Sequence, residues 1–342
     1  VIRGSILSAD GKTLAETIVD DDGSETRYYP YGNMFAHAVG YDCNGKSGIE
    51  SMANFNLLRS HAFFLEQIVN GLKDEKNPGD NVITTLNYSL QEAAYNALED
   101  DNGAIVALDP TTGKILAWVS KPDFNPNTIA ADWNDIVSQT DGENSVLVNR
   151  VSQGLYPPGS TFKILTTLEY IRENPNYADY TYDCKGSITE GETEIHCYDN
   201  SVHGTEDLKK SFAKSCNSSY ANIGLMLDKT SFAKLCDTLL FNKAIPSVYP
   251  SQKSSFVLNE NSDTSATMQT AIGQGQTLVT PLHMALITSA IANDGVLMKP
   301  YVIDHTENYK GISVKEYQPS TYGTLLDSKE AKTMQEFMSY VV

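Results

Sequence analysis

The segment Tyr156-Pro-Pro-Gly-Ser-Thr-Phe-Lys163 places a serine and a lysine three residues apart, directly after two prolines and a glycine. Apolar residues at helical spacing follow, which predicts that Ser160 lies at the start of a helix. Positions three apart share a helix face, so the Lys163 amine should lie near the Ser160 hydroxyl. Burial would favour the neutral amine, which could accept the serine proton, and helix N-terminal N–H groups could stabilise an oxyanion. The pattern predicts a serine nucleophile with a lysine base.

The same Ser-x-x-Lys spacing occurs at two further places in the chain. These copies begin at Ser211 and Ser231, within amphipathic patterns that predict helices. The simpler interpretation of both is a solvated lysine beside an incidental serine. Only Ser160 follows a Pro-Pro-Gly segment, so it is the predicted nucleophile.

A second group of polar residues is Ser215-Cys216-Asn217, between helices predicted over 207–214 and 219–227. A hydroxyl and a carboxamide two residues apart on a loop point the same way. One could relay a proton while the other hydrogen-bonds a substrate amide. Ser and Asn are also favoured helix caps, so the tripeptide alone fits both interpretations.

Two motifs upstream of Ser160 imitate parts of an acyl-transfer site. Lys46-Ser47-Gly48 matches the Lys-Thr/Ser-Gly element that often accompanies Ser-x-x-Lys, and Tyr31-Gly32-Asn33 matches a Tyr-Gly-Asn element. Both precede the predicted nucleophile in the chain. We therefore expect both to be structural turns.

The cysteines and histidines show no obvious metal-ligand pattern. Five cysteines are too few and too unevenly spaced for a disulfide scaffold or for paired Cys-x-x-Cys zinc ligands. Cys184 and Cys197, 13 residues apart, could pair in an exported protein or could be buried free thiols. The six histidines show no ligand spacing. The sequence thus predicts no metal and no cofactor.

The composition is that of a globular protein with a core. The chain has 342 residues, of which 41% are hydrophobic and 20% charged, and this length predicts two domains or one large one with an appendage. The 25 basic and 43 acidic residues give a net charge of −18, which argues against a nucleic-acid partner. No apolar run is long enough for a membrane span.

The elements that must position these residues follow from turn signals and periodicity. The first 80 residues alternate strand-like pieces, including 35–41, with turns, and a helix is predicted over 51–72. Two β-rich runs, Gly103–Asp109 and Lys114–Ser120, flank Pro110-Thr-Thr-Gly113 and predict a hairpin. Helical periods dominate after Ser160. A hairpin leading into helices predicts an α/β fold with an antiparallel sheet.

Together these motifs resemble those of a class B penicillin-binding protein over nearly the whole chain. Ser-x-x-Lys, a Ser-x-Asn-like element and Lys-Thr-Gly characterise penicillin-binding proteins and serine β-lactamases. The matching pieces, in order, are Arg3-Gly4-Ser-Ile, Asp10-Gly11, Leu14-Ala15, Gly45-Lys-Ser-Gly-Ile-Glu50, Gly103-Ala-Ile-Val-Ala-Leu-Asp-Pro110, Asn149-Arg150, Pro158-Gly-Ser-Thr-Phe-Lys163, Ser215-Cys-Asn217, Ile272-Gly-Gln-Gly275, Thr280-Pro-Leu282, Ile291-Ala-Asn293 and Gly295.

The resemblance implies roles for four residues. Ser160 would be the acylated nucleophile, Lys163 its base, Ser215 a proton relay, and Asn217 the contact to the substrate peptide. The implied fold is a penicillin-binding or serine β-lactamase-like transpeptidase domain, an antiparallel sheet flanked by helices, with an extended β-rich N-terminal arm. Residues 1–80 would form that arm, a dimerisation-like or pedestal-type domain, and residues 81–342 the transpeptidase domain.

One departure from the family pattern concerns the C-terminus. The family carries Lys-Thr/Ser-Gly on a strand after the Ser-x-Asn element, and no such tripeptide follows Asn217. We interpret this as truncation, so the C-terminal strands are expected beyond Val342.

The implied activity is that of a peptidoglycan D,D-transpeptidase, which cross-links stem peptides ending in D-Ala-D-Ala through a serine acyl-enzyme and is inhibited by β-lactams. No cofactor is implied. The implied location is the extracytoplasmic face of a bacterial membrane, with an N-terminal anchor outside this chain. The implied partners are cell-wall assembly proteins including a membrane glycosyltransferase. Alternatives are a D,D-carboxypeptidase or serine β-lactamase-like hydrolase, and a non-catalytic β-lactam-binding scaffold or sensor.

Overall fold

The structure is a computed structural model that describes residues 1–139, 142 and 144–341. Its strands are β1 (Ile6–Leu7), β2 (Thr13–Val19), β3 (Glu25–Tyr28), β4 (Asn81–Thr84), β5 (Gly103–Leu108), β6 (Ile115–Lys121), β7 (Tyr182–Cys184), β8 (Ser187–Glu190), β9 (Thr193–His196), β10 (Gly204–Glu206), β11 (Val296–Met298), β12 (Ile303–Glu307), β13 (Ser313–Glu316) and β14 (Thr321–Thr324). Its α-helices are α1 (Ala36–Val39), α2 (Gly48–Met52), α3 (Asn54–Leu57), α4 (Phe64–Lys73), α5 (Tyr88–Ala97), α6 (Ile129–Ser138), α7 (Arg150–Gln153), α8 (Lys163–Glu173), α9 (Leu208–Ala213), α10 (Asn217–Met226), α11 (Lys229–Thr238), α12 (Thr264–Ala271), α13 (Pro281–Ala292) and α14 (Ser328–Ser339).

The chain divides into two compact units. Unit 1 contains Val1–Gln153, Pro246–Pro250 and Met298–Ser320. Unit 2 contains Gly154–Ile245, Ser251–Leu297 and Thr321–Val342. The domain boundary near residue 80 stays a prediction.

A mixed but mainly antiparallel sheet forms the centre of unit 1. Its strand order is β13-β12-β4-β1-β2-β3; β1 and β4 pair in parallel, and the other neighbours pair in antiparallel fashion. Ile6 and Val82 face each other across the parallel pair and are fully buried. The predicted α/β class with an antiparallel sheet is confirmed.

The predicted hairpin is also confirmed. β5 and β6 pair in antiparallel register, with Ile105 opposite Val119. The Gly113 N–H donates to the Asp109 carbonyl at 2.8 Å and closes the turn. Gly113 has φ +86°, and a Cβ there would lie 2.3 Å from the Lys299 carbonyl oxygen, so the turn requires glycine. Helix α5, capped by Asn87, packs its Ala94 against this ribbon.

Two predictions for unit 1 were wrong in detail. The strand predicted over 35–41 does not form: a 3₁₀ turn ends at Phe35 and α1 covers Ala36–Val39, because a short apolar run also fits a helix buried on all sides. After this helix, Tyr41 packs edge-on against Phe124. The helix predicted over 51–72 is interrupted between α3 and α4. The Leu57 carbonyl instead accepts from Gly4 N–H, and the Arg59 carbonyl accepts from Asp80 N–H. These backbone bonds to distant segments replace the helical ones.

Helix α4 has no buried residue and exposes a row of large apolar side chains. Leu72 is 84% exposed and Phe64 and Leu65 are each 74% exposed. Among the described residues, no helix has the length and apolar character needed to cross a bilayer.

A buried ionic network ties the start of unit 1 to α2. The Glu50 carboxylate is completely buried and accepts from Arg3 Nε at 2.8 Å and from Arg27 Nε at 2.6 Å. Tyr29 donates to the same carboxylate at 3.2 Å. One carboxylate thus forms ion pairs with two guanidinium groups that are almost fully removed from water.

We expect Glu50→Ala to destabilise the protein strongly. Removing one partner of a buried ion pair leaves its counter-charge uncompensated, which typically costs about 3–5 kcal/mol. Urea denaturation of the variant should show a correspondingly lower midpoint. The control is Glu66→Ala, which removes the exposed ion pair with Lys310 and should change little. An equal, small effect of both substitutions would contradict this role for Glu50.

Unit 2 is mainly helical. Phe162 is fully buried and packs against Phe232, Phe241 and Phe256, with ring centroids 5.9 to 6.1 Å from its own. Two small ribbons, β7–β10 and β8–β9, lie in this unit. The expectation of further strands beyond the C-terminus stays a prediction.

Candidate active site

Ser160 lies in a 3₁₀ turn, Gly159–Phe162, that leads directly into α8. In 3₁₀ geometry, side chains three apart eclipse one another. The Ser160 hydroxyl therefore lies on the same side of the turn as the Lys163 side chain. The distance between Ser160 Oγ and Lys163 Nζ is 3.2 Å. Ser160 is exposed, whereas Lys163 is 1% exposed.

The segment before Ser160 is held by main-chain contacts. Tyr156 and Val279 exchange two backbone hydrogen bonds, of 3.0 and 2.8 Å, and the Gly159 N–H donates to the Gly273 carbonyl at 2.9 Å. Gly273 has φ +83°, and a Cβ there would lie 1.8 Å from the Gly159 carbonyl oxygen. Only glycine allows this approach, so the Ile272-Gly-Gln-Gly275 motif supports the serine turn.

The Lys163 amine is the centre of the polar cluster. Its Nζ donates to Ser160 Oγ, to Ser215 Oγ at 3.0 Å and to Asn217 Oδ1 at 2.7 Å. It also donates to the Ser215 carbonyl at 2.9 Å. Burial lowers the pKa of Lys163 to about 8, and the sulfurs of Cys216 and Cys197 oppose the shift. A substantial fraction of this amine is therefore neutral near pH 7 to 8.

The second predicted group lies at the start of α10. Ser215 has a left-handed backbone, φ 52°, which turns its exposed side chain toward Lys163. Cys216, not Ser215 or Asn217, is the N-cap of α10, and its sulfur accepts from Ser219 N–H. Asn217 is the first helical residue, and its Nδ2 donates to the His196 carbonyl at 3.0 Å. Its side chain is thus used in the cluster and not as a cap.

The structure brings together all four predicted site residues, Ser160, Lys163, Ser215 and Asn217. Two hydroxyls that face solvent share one buried amine, an arrangement that can pass a proton from a nucleophile to a leaving group. Their individual roles stay predictions.

The other Ser-x-x-Lys copies do not form such a pair. Ser211 is fully buried and bonds to Ser219 at 2.7 Å, while Lys214 is exposed. Ser231 follows the Asp228 cap of α11, and Lys234 is exposed. The upstream motifs Lys46-Ser47-Gly48 and Tyr31-Gly32-Asn33 belong to unit 1, whereas Ser160 belongs to unit 2.

Comparison with known families agrees with this geometry. The model of the penicillin-binding protein transpeptidase domain matches residues 103–342. The model of the penicillin-binding protein A dimerisation domain matches residues 3–82. The chain belongs to the penicillin-binding protein transpeptidase family. The resemblance inferred from the motifs is confirmed.

Relatives in this family carry consistent names. The chain is 28% identical to the peptidoglycan D,D-transpeptidase PbpA of Mycolicibacterium smegmatis, over 98% of the chain and 72% of that protein. It is 30% identical to the protein of the same name from Mycobacterium tuberculosis, over 88% of the chain. The chain spans 65% of the length of that second relative.

Solved structures of the family share the fold. The D,D-transpeptidase domain of a peptidoglycan glycosyltransferase from Eggerthella lenta aligns with a TM-score of 0.85 and 28% identity, over 99% of this chain and 81% of that one. The imipenem acyl-enzyme complex of penicillin-binding protein A from M. tuberculosis aligns with the same TM-score at 24% identity, over the same shares of the two chains. The predicted fold is confirmed.

One cluster beside the site is not apparent from the sequence. Cys184, Cys197, His203 and Cys216 bring their ligand atoms within 4.8 Å of one another. Their spacing is Cys-x₁₂-Cys-x₅-His-x₁₂-Cys, which contains no Cys-x-x-Cys pair. Because its members are far apart in the chain, the sequence offers no local signal for the cluster. Cys184 and Cys197 are not bonded, since their sulfurs are 3.7 Å apart.

Proposed function

We propose that this chain carries the acyl-transfer site of a peptidoglycan D,D-transpeptidase. The observation that most supports the proposal is the Lys163 amine, within hydrogen-bond reach of both the Ser160 and Ser215 hydroxyls. The family names of the relatives agree with it. The substrate class is a stem peptide ending in D-Ala-D-Ala.

In the first half-reaction, Ser160 Oγ attacks the carbonyl carbon between the two D-Ala residues and its proton passes to Lys163. The C–N bond breaks, and the leaving amine of D-Ala takes a proton through Lys163 and Ser215. In the second half-reaction, the amine of another stem peptide attacks the ester, loses a proton to the same groups, and displaces Ser160. The bonds and protons balance without a cofactor.

Asn217 holds the donor peptide in this proposal. Its amide does not titrate near pH 7, so it serves as a hydrogen-bonding group and not as an acid or base. Asn217 Oδ1 also accepts from Lys163 and helps to orient the amine.

The experiment that tests the function uses a synthetic stem peptide ending in D-Ala-D-Ala, with and without an amine acceptor. Mass spectrometry should detect a serine ester, release of D-Ala, and a cross-linked product that needs the acceptor. A hydrolysed product that dominates even with acceptor present would indicate a carboxypeptidase or β-lactamase-like hydrolase. β-Lactam acylation without any peptide turnover would indicate a binding scaffold or sensor.

We expect Asn217→Ala to slow acylation by a β-lactam about 10- to 100-fold, since a hydrogen bond to a charged group contributes about 1.5–3 kcal/mol. The melting temperature should change little because Cys216 caps the helix. Stopped-flow acylation with a fluorescent penicillin gives the rate. Asn222→Ala is the control. Asn222 lies on the same helix as Asn217, but its amide contacts Tyr180 and not Lys163. A large loss of thermal stability with normal acylation would contradict a binding role.

We further propose that the protein acts on the extracytoplasmic face of a bacterial membrane, anchored through its N-terminus, within an assembly that includes a membrane glycosyltransferase. The exposed apolar face of α4 supports a docking role for unit 1. Leu65→Asp with Leu72→Asp should reduce co-purification of such partners from cells while leaving β-lactam acylation unchanged. If the same partners co-purify with this variant as with the wild type, α4 is not the docking surface.

A further inference from the structure

Four potential metal ligands from different segments meet next to the predicted proton relay. Cys184 ends β7, Cys197 directly follows β9, His203 directly precedes β10, and Cys216 precedes α10. The Cys197 sulfur is 3.7 Å from the sulfurs of both Cys184 and Cys216, and the Cys184 sulfur is 3.4 Å from His203 Nδ1. The three cysteines are buried and His203 is partly exposed.

These three distances match three of the six edges of a small tetrahedron, and the other pairs of ligand atoms lie within 4.8 Å of each other. Zinc ligated at about 2.3 Å from sulfur and about 2.05 Å from nitrogen separates two tetrahedral sulfurs by about 3.8 Å, and a sulfur from a nitrogen by about 3.5 Å. A disulfide would need two sulfurs at about 2.05 Å. Cys197 is equally far from its two neighbours, so pairing any two thiols would leave the third buried beside the bond.

The surroundings of the sulfurs suit thiolates. Ser218 Oγ lies 3.2, 3.3 and 3.4 Å from the sulfurs of Cys184, Cys197 and Cys216. Ser219 N–H donates to Cys216. Such outer donors orient ligands and stabilise their negative charge.

We propose that Cys184, Cys197, His203 and Cys216 bind one zinc ion in a closed, tetrahedral Cys₃His site. Four protein ligands leave no position for water or substrate, so the ion is structural. Neutral imidazole and three thiolates suit zinc better than the oxygen-preferring magnesium or calcium. The partly exposed edge of His203 gives the ion a route from solvent.

The proposed zinc site adjoins the residues of the acyl-transfer site, so the ion would also affect how Ser215 and Asn217 are placed. Cys216 lies between Ser215 and Asn217 in the chain, and Asn217 donates to the carbonyl of His196, which immediately precedes Cys197. A zinc ion would therefore fasten the β8–β9 ribbon to the segment that presents Ser215. This second step rests on the proposed function, whereas zinc binding itself does not.

The first experiment measures the metal on the full chain, purified under reducing conditions. Elemental analysis should find one zinc per chain that survives dialysis against a weak chelator. Cobalt substitution should give thiolate-to-cobalt charge-transfer bands and the intense d–d absorption of a tetrahedral ion. Cys197→Ser and His203→Ala should lose the metal, whereas Cys236→Ser and Cys43→Ser, which alter cysteines outside the cluster, should retain it.

Three results of the metal measurements would overturn the zinc site, and a fourth comes from the mass of the protein. They are no metal in the folded wild-type protein after exposure to zinc, octahedral cobalt spectra, or equal metal content in Cys197→Ser and Cys236→Ser. A disulfide between Cys184 and Cys197 that persists under the reducing conditions, detected as a mass lower by two hydrogens, would also overturn it. The wild-type measurements keep the test decisive if a cluster variant fails to fold.

The second experiment compares β-lactam acylation of the zinc-loaded and metal-depleted wild-type protein. Misplacement of Ser215 and Asn217 should slow acylation about 10- to 100-fold, with recovery when zinc is restored. Equal rates would separate the site from catalysis and leave it purely structural. Tetrahedral cobalt in a protein that no β-lactam acylates would refute the proposed function and leave the zinc site standing.

Discussion

Replacing Ser160 by alanine is expected to abolish covalent labelling by β-lactams. The Ser160 hydroxyl is exposed, lies 3.2 Å from the Lys163 amine and stands at the start of α8, and alanine cannot form the ester. Loss of a serine nucleophile costs on the order of 10⁶-fold in rate in a well-studied serine hydrolase, so labelling should fall below detection. Fluorescent penicillin and intact-protein mass spectrometry provide the measurement.

The matched control for this variant is Ser231→Ala. Ser231 also stands three residues before a lysine, but that lysine is exposed and α11 is capped by Asp228. The control should label at the wild-type rate, and peptide mapping of the wild type should place the adduct on the peptide that contains Ser160. An adduct on a peptide carrying Ser211 or Ser231 would show that the assignment of the nucleophile is wrong.

Replacing Lys163 by methionine should slow acylation about 10²- to 10⁴-fold, the usual contribution of a general base. Methionine fills a similar buried volume but has no group to take the Ser160 proton. Lys163→Arg should not restore the rate, because a guanidinium stays charged and cannot accept a proton. Single-turnover acylation with a chromogenic cephalosporin gives the rates, and thermal denaturation shows whether each variant is folded.

Lys234→Met is the control. Lys234 also stands three residues after a serine, but it is exposed, so this variant should be acylated at the wild-type rate. If Lys163→Arg acylates as fast as wild type, the amine supplies positive charge and not a base. The proton would then have to leave Ser160 by another path, and the role proposed for Lys163 would be refuted.

The parts of this structure that sequence predicts best are set by neighbours in the chain. The β5–β6 hairpin follows from two β-rich runs and a Pro-Thr-Thr-Gly turn. The pairing of Ser160 with Lys163 is equally local, since three residues on one turn fix their distance. Motif order then links that turn to Ser215 and Asn217.

The parts that sequence did not predict depend on contacts between distant residues. Leu57 and Arg59 leave the helical path because Gly4 and Asp80 bind their carbonyl groups. The cysteine cluster spans 33 residues, from Cys184 to Cys216, and only the folding of two ribbons onto α10 brings its members together. Neither arrangement is encoded in a local period or a short motif.

The contact between Gly159 and Gly273 has a consequence for how such a protein can acquire drug resistance. The serine turn is anchored by main-chain atoms at a separation that any Cβ would violate, so substitutions that loosen it also remove the native turn. A side chain at position 273 would displace the serine turn that the native reaction also needs. Selection for survival under β-lactams should therefore leave Gly273 unchanged and accumulate changes at positions outside the contacts that hold Ser160, Lys163, Ser215 and Asn217.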